Sequence, residues 1–209
     1  MKKIIFDLDG TLLTNTYEVQ RQYFESSLDK EIYLKMRENV KVYLDEYESK
    51  HIRYDIGDLK RFLSCATCSD ISEDFIKGWI EIGGYIDDSV EDGLISTLEY
   101  LKSKDVKLAV LTNWFRRPQV ERLKNTGIYK YFDDIYTGEE FLKPHSEAYL
   151  NAIGDSRKCD CIVVGDTLEK DYIGPKSLGI GAVLYDKDDK YHNTLVKVKR
   201  LDELKRRVR

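Results

Sequence analysis

Short apolar runs recur along the chain, and between them apolar residues return at the spacing of an α-helix. Five of these runs are rich in β-branched residues and predict buried strands. They are residues 4–6, 106–112, 133–137, 161–165 and 180–184. Helices are expected at residues 90–101, 118–125, after Pro144, at 171–178 and at 202–208, with a short edge strand at 196–198. Because strands alternate with helices, the pattern predicts an α/β fold with a parallel sheet covered on both faces.

A long segment between the first two predicted strands follows a different pattern. From about residue 15 to residue 85, apolar residues recur only at helical spacing, as Met36, Val40 and Leu44 do. Four or five helices are expected there, inserted into the α/β core rather than joined to its end. The predicted division of the chain is an α/β core at residues 1–14 and 88–209 and an all-α module at residues 15–87.

Composition agrees with a globular core that carries an inserted module. The chain has 209 residues, of which 42% are hydrophobic, so a disordered protein is excluded. The net charge of −4 argues against a nucleic-acid partner. No apolar run approaches the ~20 residues of a membrane span, and Asp7 and Asp9 interrupt the apolar start of the chain too early for a signal peptide. We therefore expect a soluble, cytoplasmic protein with no membrane partner.

The cysteines and the basic C-terminal segment do not change this picture. Cys65 and Cys68 form one close pair and Cys159 and Cys161 another, but the two pairs lie far apart in the sequence. This spacing favours free thiols over a zinc site. Residues 197–209 include seven basic and two acidic side chains, a pattern typical of a solvated helix face.

Two carboxylates stand directly after the first predicted strand. Asp7 and Asp9 are one residue apart and are followed by Gly10 and Thr11. An ordinary turn that begins with Asp and Gly is one explanation. Neighbouring carboxylates at the end of a buried strand, however, repel each other and lose hydration, so they need a cation or a proton nearby. A functional site is therefore the alternative.

The ends of the later strands carry matching polar residues. Thr112 and Asn113 end the second strand, Lys143 follows the third, and Asp166 follows the fourth. Parallel strands place their carboxyl ends at one edge of the sheet, where ligands bind. We expect Asp166 to join the two acids of the first strand in a cluster suited to Mg²⁺. With the lysine and the neutral donors, such a cluster would hold a phosphate dianion.

In this order the segments resemble the four motifs of the haloacid dehalogenase superfamily. The matching sequences are DLDGT at residues 7–11, LTN at 111–113, KP at 143–144 and GDTLEKD at 165–171. The resemblance extends from residue 4 to about residue 185. It implies a doubly wound parallel sheet of strand order 5-4-1-2-3, and the inserted module resembles the helical cap that this superfamily places between its first and second motifs.

The resemblance also implies catalytic roles. Asp7 would be the nucleophile and would become an aspartyl-phosphate. Asp9 would protonate the leaving oxygen and then deprotonate the attacking water. Lys143 would offset the negative charge of Asp7 and of the phosphate, while Thr112 and Asn113 would hold the phosphoryl oxygens.

The same resemblance implies a metal site. Mg²⁺ would be bound by Asp7, by the backbone carbonyl of Asp9 and by Asp166. Asp171 would orient Lys143 or a metal-bound water. The function that these implications favour is Mg²⁺-dependent hydrolysis of a small phosphorylated metabolite, although neither the metabolite nor the oligomeric state is predicted.

Three other functions are compatible with parts of this pattern. A phosphotransferase or sugar-phosphate mutase of the superfamily would use the same residues but return the phosphoryl group to a sugar. A 2-haloacid dehalogenase attacks carbon and needs neither a metal nor a second acid. A non-enzymatic phospho-acceptor or scaffold would not carry a large helical insertion after its first strand.

Three residues near the motifs are expected to be structural. His145 follows the third motif and is interpreted as the start of a helix at the rim of the cleft. Arg116 and Arg117 follow the second motif and are interpreted as a solvated start of a helix rather than as substrate ligands.

Overall fold

A computed structural model describes residues 2–191 and 195–207 of the chain. The strands are β1 (Lys3–Phe6), β2 (Leu13–Asn15), β3 (Asp88–Val90), β4 (Lys107–Thr112), β5 (Asp134–Thr137), β6 (Cys161–Gly165), β7 (Gly181–Tyr185) and β8 (Lys197–Val198). The α-helices are α1 (Glu18–Ser27), α2 (Lys30–Lys50), α3 (Ile56–Thr67), α4 (Glu73–Ile82), α5 (Leu94–Ser103), α6 (Arg116–Asn125), α7 (Ser146–Ile153) and α8 (Gly174–Ser177).

Six parallel strands form the central sheet, in the order β5-β4-β1-β6-β7-β8. Read from the other edge, the five long strands follow the order 5-4-1-2-3 that the resemblance implies, and the two-residue β8 is added beside β7. The predicted doubly wound α/β fold is therefore confirmed. It places β1 in the middle of the sheet, so the residues after β1 lie at the centre of the edge where ligands bind.

Alternating residues of the strands pack against helices on the two faces of the sheet. Ile4 and Phe6 of β1 are buried in a cluster that includes Leu98 of α5 and Leu123 of α6. Ile5 points to the opposite face and packs in the cluster formed with α7. This alternation is the reason why the apolar runs of the sequence are nearly continuous, because both faces of a parallel sheet are covered.

The helices of the insertion have a hydrophobic core of their own. Met36 of α2, Leu59 of α3 and Trp79 of α4 are buried in one cluster. Phe115 and Leu142, which come from loops of the α/β core, are buried in the same cluster, so the inserted helices pack directly over the carboxyl edge of the sheet. Four α-helices agree with the four or five expected. The division at residues 15–87 stays a prediction.

The insertion is entered and left through a strand pair that the sequence pattern did not predict. Strand β2 pairs antiparallel with β3, with Leu13 opposite Val90 and Asn15 opposite Asp88. The assignment of Val90 to a helix face was therefore wrong, because α5 begins only at Leu94. The start of the insertion at Asn15 is likewise extended rather than helical.

Two predicted helices differ in type from the prediction. The expected helix at residues 171–178 is a wide helical turn of the π type at Leu168–Ile173 followed by the short α8. The expected C-terminal helix is a 3₁₀ helix at Leu201–Arg207, and Val208 lies outside the described residues. No helix in the described part of the chain combines the length and apolar character needed to cross a membrane.

The cysteines and the basic C-terminal segment differ in part from the expectation of buried or half-buried thiols and of a solvated helix face. Cys65, Cys68 and Cys159 are exposed free thiols, and Cys161 is a buried free thiol on β6. Within the described part of the basic segment, Lys197 is largely buried and forms ion pairs with the buried Asp186 and the exposed Asp189.

Candidate active site

The end of β1 places Asp7 at the centre of the sheet edge. Its backbone N–H donates to the carbonyl of Val164 on β6 at 2.8 Å, and the residue is buried. The turn that follows contains Gly10 at φ +77°, and a Cβ at Gly10 would lie 2.6 Å from Asp166 Oδ2. The turn therefore requires glycine, which gives the positive φ and lets Asp166 approach the backbone closely.

Lys143 lies between two carboxylates in the interior of the site. Its Nζ donates to Asp7 Oδ1 at 2.7 Å and to Asp171 Oδ1 at 2.6 Å. All three side chains are buried, with 11% or less of each exposed. The predicted neighbours of Lys143 are therefore in contact with it.

Asp171 is held rigidly from two sides. Its second oxygen accepts from the backbone N–H of Thr167 at 3.1 Å. A Cβ at Gly165 would lie 2.3 Å from Asp171 Cγ, so only glycine at the end of β6 leaves room for this carboxylate. Asp171 is thus fixed in its buried contact with Lys143.

The carboxylates outnumber the cations in this cluster. Burial, together with the charges of Asp171 and Asp166, raises the pKa of Asp7 well above its usual value despite the opposing effect of Lys143. Burial and the charge of Asp171 also raise the pKa of Asp166. For Lys143, burial opposes the charged form, but Asp171 and Asp7 outweigh it and raise its pKa. The site therefore favours binding of an additional cation.

The same carboxylates are arranged like the ligands of a metal ion. Asp7, Asp166 and Asp171 each offer an oxygen, and these oxygens lie within 4.8 Å of one another. Within residues 2–191 and 195–207 this is the one group of three or more His, Cys, Asp or Glu side chains with such geometry. An all-oxygen donor set fits Mg²⁺. No comparable group includes the cysteines in that part of the chain.

The Asp9 side chain is bound by three donors. Arg122 Nη2 and the Tyr17 hydroxyl donate to Oδ1 at 2.6 and 3.2 Å, and Gln119 Nε2 donates to Oδ2 at 3.3 Å. Burial alone would raise the pKa of Asp9, but the charge and hydrogen bonds of Arg122 outweigh it, so the pKa is lowered. Asp9 is therefore held as a carboxylate.

Thr112, the last residue of β4, and Asn113, directly after it, were both predicted to bind the phosphate, but their surroundings differ. The Thr112 hydroxyl accepts from Gln119 Nε2 at 2.7 Å. The Asn113 carboxamide is occupied by the protein, since its Oδ1 accepts from the N–H of Lys143 at 2.8 Å and its Nδ2 donates to the Lys143 carbonyl at 2.7 Å. The side chain of Asn113 thus fixes the backbone of Lys143, which the sequence did not suggest.

Glu48 of α2 connects the inserted helices to these loops. This buried carboxylate accepts from Asn113 Nδ2 at 2.8 Å, from Lys170 Nζ at 2.6 Å and from the Tyr54 hydroxyl at 2.7 Å. His145 Nε2 donates to the Glu48 carbonyl at 2.8 Å, and His145 directly precedes α7, as predicted. One residue of the insertion therefore contacts the loops after three strands of the sheet.

Replacing Glu48 with glutamine is expected to lower the free energy of unfolding by about 1–3 kcal/mol. The amide nitrogen of glutamine is a hydrogen-bond donor, and it would face side chains that themselves donate to the Glu48 carboxylate. Urea unfolding followed by circular dichroism measures this change. Glu46→Gln is the matched control, since Glu46 lies on the same helix but is exposed and bound only to Lys50. Equal effects of the two substitutions would show that Glu48 does not hold the insertion in place.

A cleft between the inserted helices and the sheet edge adjoins the acidic cluster. Its volume is about 570 Å³, in the range of small-molecule sites. Lining residues from both sides include Asp9, Tyr17, Lys41, Glu48, Asp166 and Lys170. Arg116 and Arg117 begin α6 as predicted and bind surface carboxylates, so they are not part of this cleft.

The order of the motifs and the geometry of the site agree with a comparison against protein families. Residues 1–179 match the family model described as haloacid dehalogenase-like hydrolase. The chain belongs to this family. It is therefore an enzyme of the hydrolase class, as the resemblance implied.

Individual haloacid dehalogenase-like proteins align along most of the chain. A glyceraldehyde 3-phosphate phosphatase of Methanocaldococcus jannaschii is 28% identical over 205 residues, which cover 86% of this chain and 82% of that protein. A ribulose-1,5-bisphosphate 5-phosphatase of Halopiger xanaduensis is 28% identical over 208 residues, covering 88% and 84%. The crystal structure of the Bacillus subtilis hydrolase YfnB superimposes with a TM-score of 0.73 at 18% identity, covers 99% of this chain and 98% of that one, and so supports the fold.

Three polar residues of this haloacid dehalogenase-like site were missed from the sequence. Gln119 and Arg122 are three positions apart, and this spacing puts them on one helix face toward the sheet edge. Glu48 is four positions after Leu44, on the apolar stripe of its helix. In each case the polar residue stands at helical spacing from apolar residues of the buried face, and this spacing could have indicated that it points into the protein.

Proposed function

We propose that the chain is a phosphatase that hydrolyses a small phosphate monoester through an aspartyl-phosphate at Asp7. The observation that carries this proposal is the Lys143 ammonium held between Asp7 and Asp171, with Asp166 beside them. Membership of the haloacid dehalogenase-like family and two relatives named as phosphatases support it.

In the first half-reaction, an Asp7 oxygen attacks the phosphorus atom and the bond to the leaving oxygen breaks. Asp9, a carboxylate in the free protein, takes up a proton when the phosphate dianion binds beside it and gives that proton to the leaving oxygen, which departs as an alcohol. Lys143 lowers the repulsion between the attacking carboxylate and the phosphate dianion, since its ammonium contacts Asp7. Thr112 would donate a hydrogen bond to a phosphoryl oxygen.

In the second half-reaction, water attacks the same phosphorus atom and the bond to Asp7 breaks. Asp9, now a carboxylate, takes a proton from the water, so inorganic phosphate leaves and Asp7 is regenerated. The carboxamide of Asn113 keeps the backbone of Lys143 in place during both steps. We assign Asn113 this structural part, because its side chain has no donor left for the phosphate.

Mg²⁺ fits the donor set of the acidic cluster. Asp7, Asp166 and the backbone carbonyl of Asp9 would hold it, and when bound it would supply positive charge against the phosphoryl oxygens. Asp171 would remain the partner of Lys143. The cluster has three carboxylates, those of Asp7, Asp166 and Asp171, but only the ammonium of Lys143 as a cation. The raised pKa of Asp7 and of Asp166 supports the need for a further cation.

The substrate class follows from the size of the cleft and from the relatives. A cavity of about 570 Å³ suits a phosphorylated metabolite, and the insertion that covers it leaves little room for a phosphoprotein or a nucleic-acid end. Both curated relatives act on sugar phosphates by their names. We also propose that the protein is cytoplasmic and binds neither nucleic acid nor membranes.

Inorganic phosphate should be released from a panel of sugar phosphates, nucleotides and phosphoglycolate in the presence of Mg²⁺. For the best metabolite, kcat/KM is expected to exceed that for a phosphopeptide at least about a hundredfold. Excess EDTA should remove at least about 99% of the activity, and Mg²⁺ but not Ca²⁺ should restore it, because Ca²⁺ takes more ligands at longer distances.

Each possible failure has a different meaning. Transfer of the phosphoryl group to a sugar without phosphate release would indicate a phosphotransferase or mutase. Full activity in excess EDTA would contradict the metal site. Turnover of a 2-haloacid, with no phosphate released from the panel, would replace the phosphatase with a dehalogenase.

A further inference from the structure

The cation nearest to Asp9 is Arg122, which lies on α6 and is almost completely buried. Its Nη2 donates to Asp9 Oδ1 at 2.6 Å and to Asp88 Oδ1 at 2.8 Å, and its Nε donates to Asp88 Oδ2 at 2.7 Å. The guanidinium therefore joins Asp9, after β1, to Asp88, on β3 at the exit from the insertion. With 3% of its side chain exposed, Arg122 has little freedom to move.

Gln119, one turn earlier on α6, completes the contact. Its Oε1 accepts from Arg122 Nη1 at 2.8 Å, and this hydrogen bond fixes the orientation of the Gln119 amide. Its Nε2 then donates both to Asp9 Oδ2 at 3.3 Å and to Thr112 Oγ1 at 2.7 Å. Since Arg122 binds Oδ1, each oxygen of Asp9 has a donor from α6.

The hydrogen bond from Gln119 to Thr112 determines where the hydroxyl hydrogen of Thr112 can point. Because the Thr112 oxygen accepts from Gln119, its hydroxyl hydrogen must point elsewhere, and within residues 2–191 and 195–207 it donates to no protein acceptor. That hydrogen is free for a phosphoryl oxygen. Arg122 thus acts on two groups at once, directly on Asp9 and through Gln119 on Thr112.

We propose that Arg122 and Gln119 are positioning residues that orient the Asp9 carboxylate and the Thr112 hydroxyl for phosphoryl transfer. This inference rests on the proposed function, since it assigns partners to two groups of that site. Their role is separate from binding the metal or the rest of the substrate. Asp88, which binds the other side of the guanidinium, holds Arg122 in place.

The test compares good and poor leaving groups, because only a poor leaving group needs a well-placed proton donor. Removal of Arg122 alone would leave the carboxylates of Asp9 and Asp88 without the cation that joins them, so Arg122→Gln is combined with Asp88→Asn. Gln119→Met removes the amide without changing charge or much volume. Lys124→Gln, an exposed change on the same helix, is the matched control.

For each variant, kcat/KM is measured with p-nitrophenyl phosphate and with the best alkyl phosphate of the panel. For both Gln119→Met and the double variant, we expect a fall of at least about tenfold for the alkyl phosphate and a fall at least about threefold smaller for p-nitrophenyl phosphate. A misplaced Thr112 hydroxyl slows both substrates, whereas a misplaced Asp9 slows only the substrate with the poor leaving group. In an Asp9→Asn background, the double variant should lower kcat/KM for the alkyl phosphate no more than it lowers kcat/KM for p-nitrophenyl phosphate in the wild-type background, because the positioning of Asp9 is already lost and only that of Thr112 remains.

Three results would overturn the positioning role. Equal losses on both leaving groups, or full additivity with Asp9→Asn, would show that Arg122 and Gln119 only stabilise the fold. Wild-type kcat/KM in both variants would show that they do nothing for the reaction. If the wild-type chain released phosphate from neither substrate, the proposed function would fail together with this inference.

Discussion

Replacing Asp7 with asparagine is expected to lower kcat at least about a thousandfold while the fold stays intact. The amide cannot attack phosphorus to form an acyl phosphate. Its carbonyl oxygen can still accept from Lys143 Nζ, the contact that is 2.7 Å long in the native protein, and its volume is nearly the same. Phosphate release from the best metabolite measures the loss, and circular dichroism measures the fold.

Asp155→Asn is the matched control for this substitution. Asp155 is exposed and lies in the turn after α7, away from the sheet edge that carries the site. It should keep wild-type kcat. If Asp7→Asn retained more than about a tenth of wild-type activity with a normal circular dichroism spectrum, the assignment of Asp7 as nucleophile would be wrong.

Replacing Lys143 with methionine is expected to remove both activity and stability. Methionine has a similar length and no charge, so Asp7 and Asp171 would remain buried without their cation. Breaking a buried ion pair in this way costs about 3–5 kcal/mol, most of it from the uncompensated carboxylates. Urea unfolding at neutral pH measures the fall in the free energy of unfolding, and phosphate release measures activity.

Adding Asp171→Asn to Lys143→Met separates the two effects. This second change removes one of the unpaired carboxylates, so stability should recover in part while activity stays absent, because Asp7 still lacks its neighbouring charge. Lys158→Met changes an exposed lysine and should leave both properties unchanged. An unfolding free energy of Lys143→Met within about 1 kcal/mol of wild type would contradict the buried ion pairs.

The convergence of the acids and the lysine was predictable from order along the chain alone. Asp7, Lys143 and Asp166 each follow a predicted buried strand, and parallel strands end at one edge of a sheet. No knowledge of side-chain packing was needed to bring them together, and the cluster of Asp7 with Asp166 and Asp171 has that origin. The catalytic roles of these residues remain predictions.

The direction of individual side chains was not predictable in the same way. Asn113 was expected to face the phosphate, but its partners are the backbone of Lys143, thirty positions away, and Glu48, sixty-five positions away in the inserted helices. Asp9 likewise finds Arg122, 113 positions away. Such contacts depend on how separate elements pack, which local spacing does not record.

The strand pair at the base of the insertion was missed for a simpler reason. Each of β2 and β3 has only three residues, too few to show an alternating pattern. Val90 is four positions before Leu94 and so matched the helical spacing of α5. Pairing with Leu13 outweighed that local signal.

This strand pair has a consequence for the chain entropy of folding. Lys3 of β1 pairs with Lys107 of β4, so the central pairing of the sheet must close a loop that contains the whole insertion. Loop closure costs conformational entropy that grows with loop length, and distant pairings form slowly for this reason. Because Leu13 and Val90 are joined side by side, a folded insertion shortens the effective loop to residues 7–12 and 91–106, which lie outside the pair. The inserted helices can therefore change in length among relatives with little cost to the closure of the sheet beneath them.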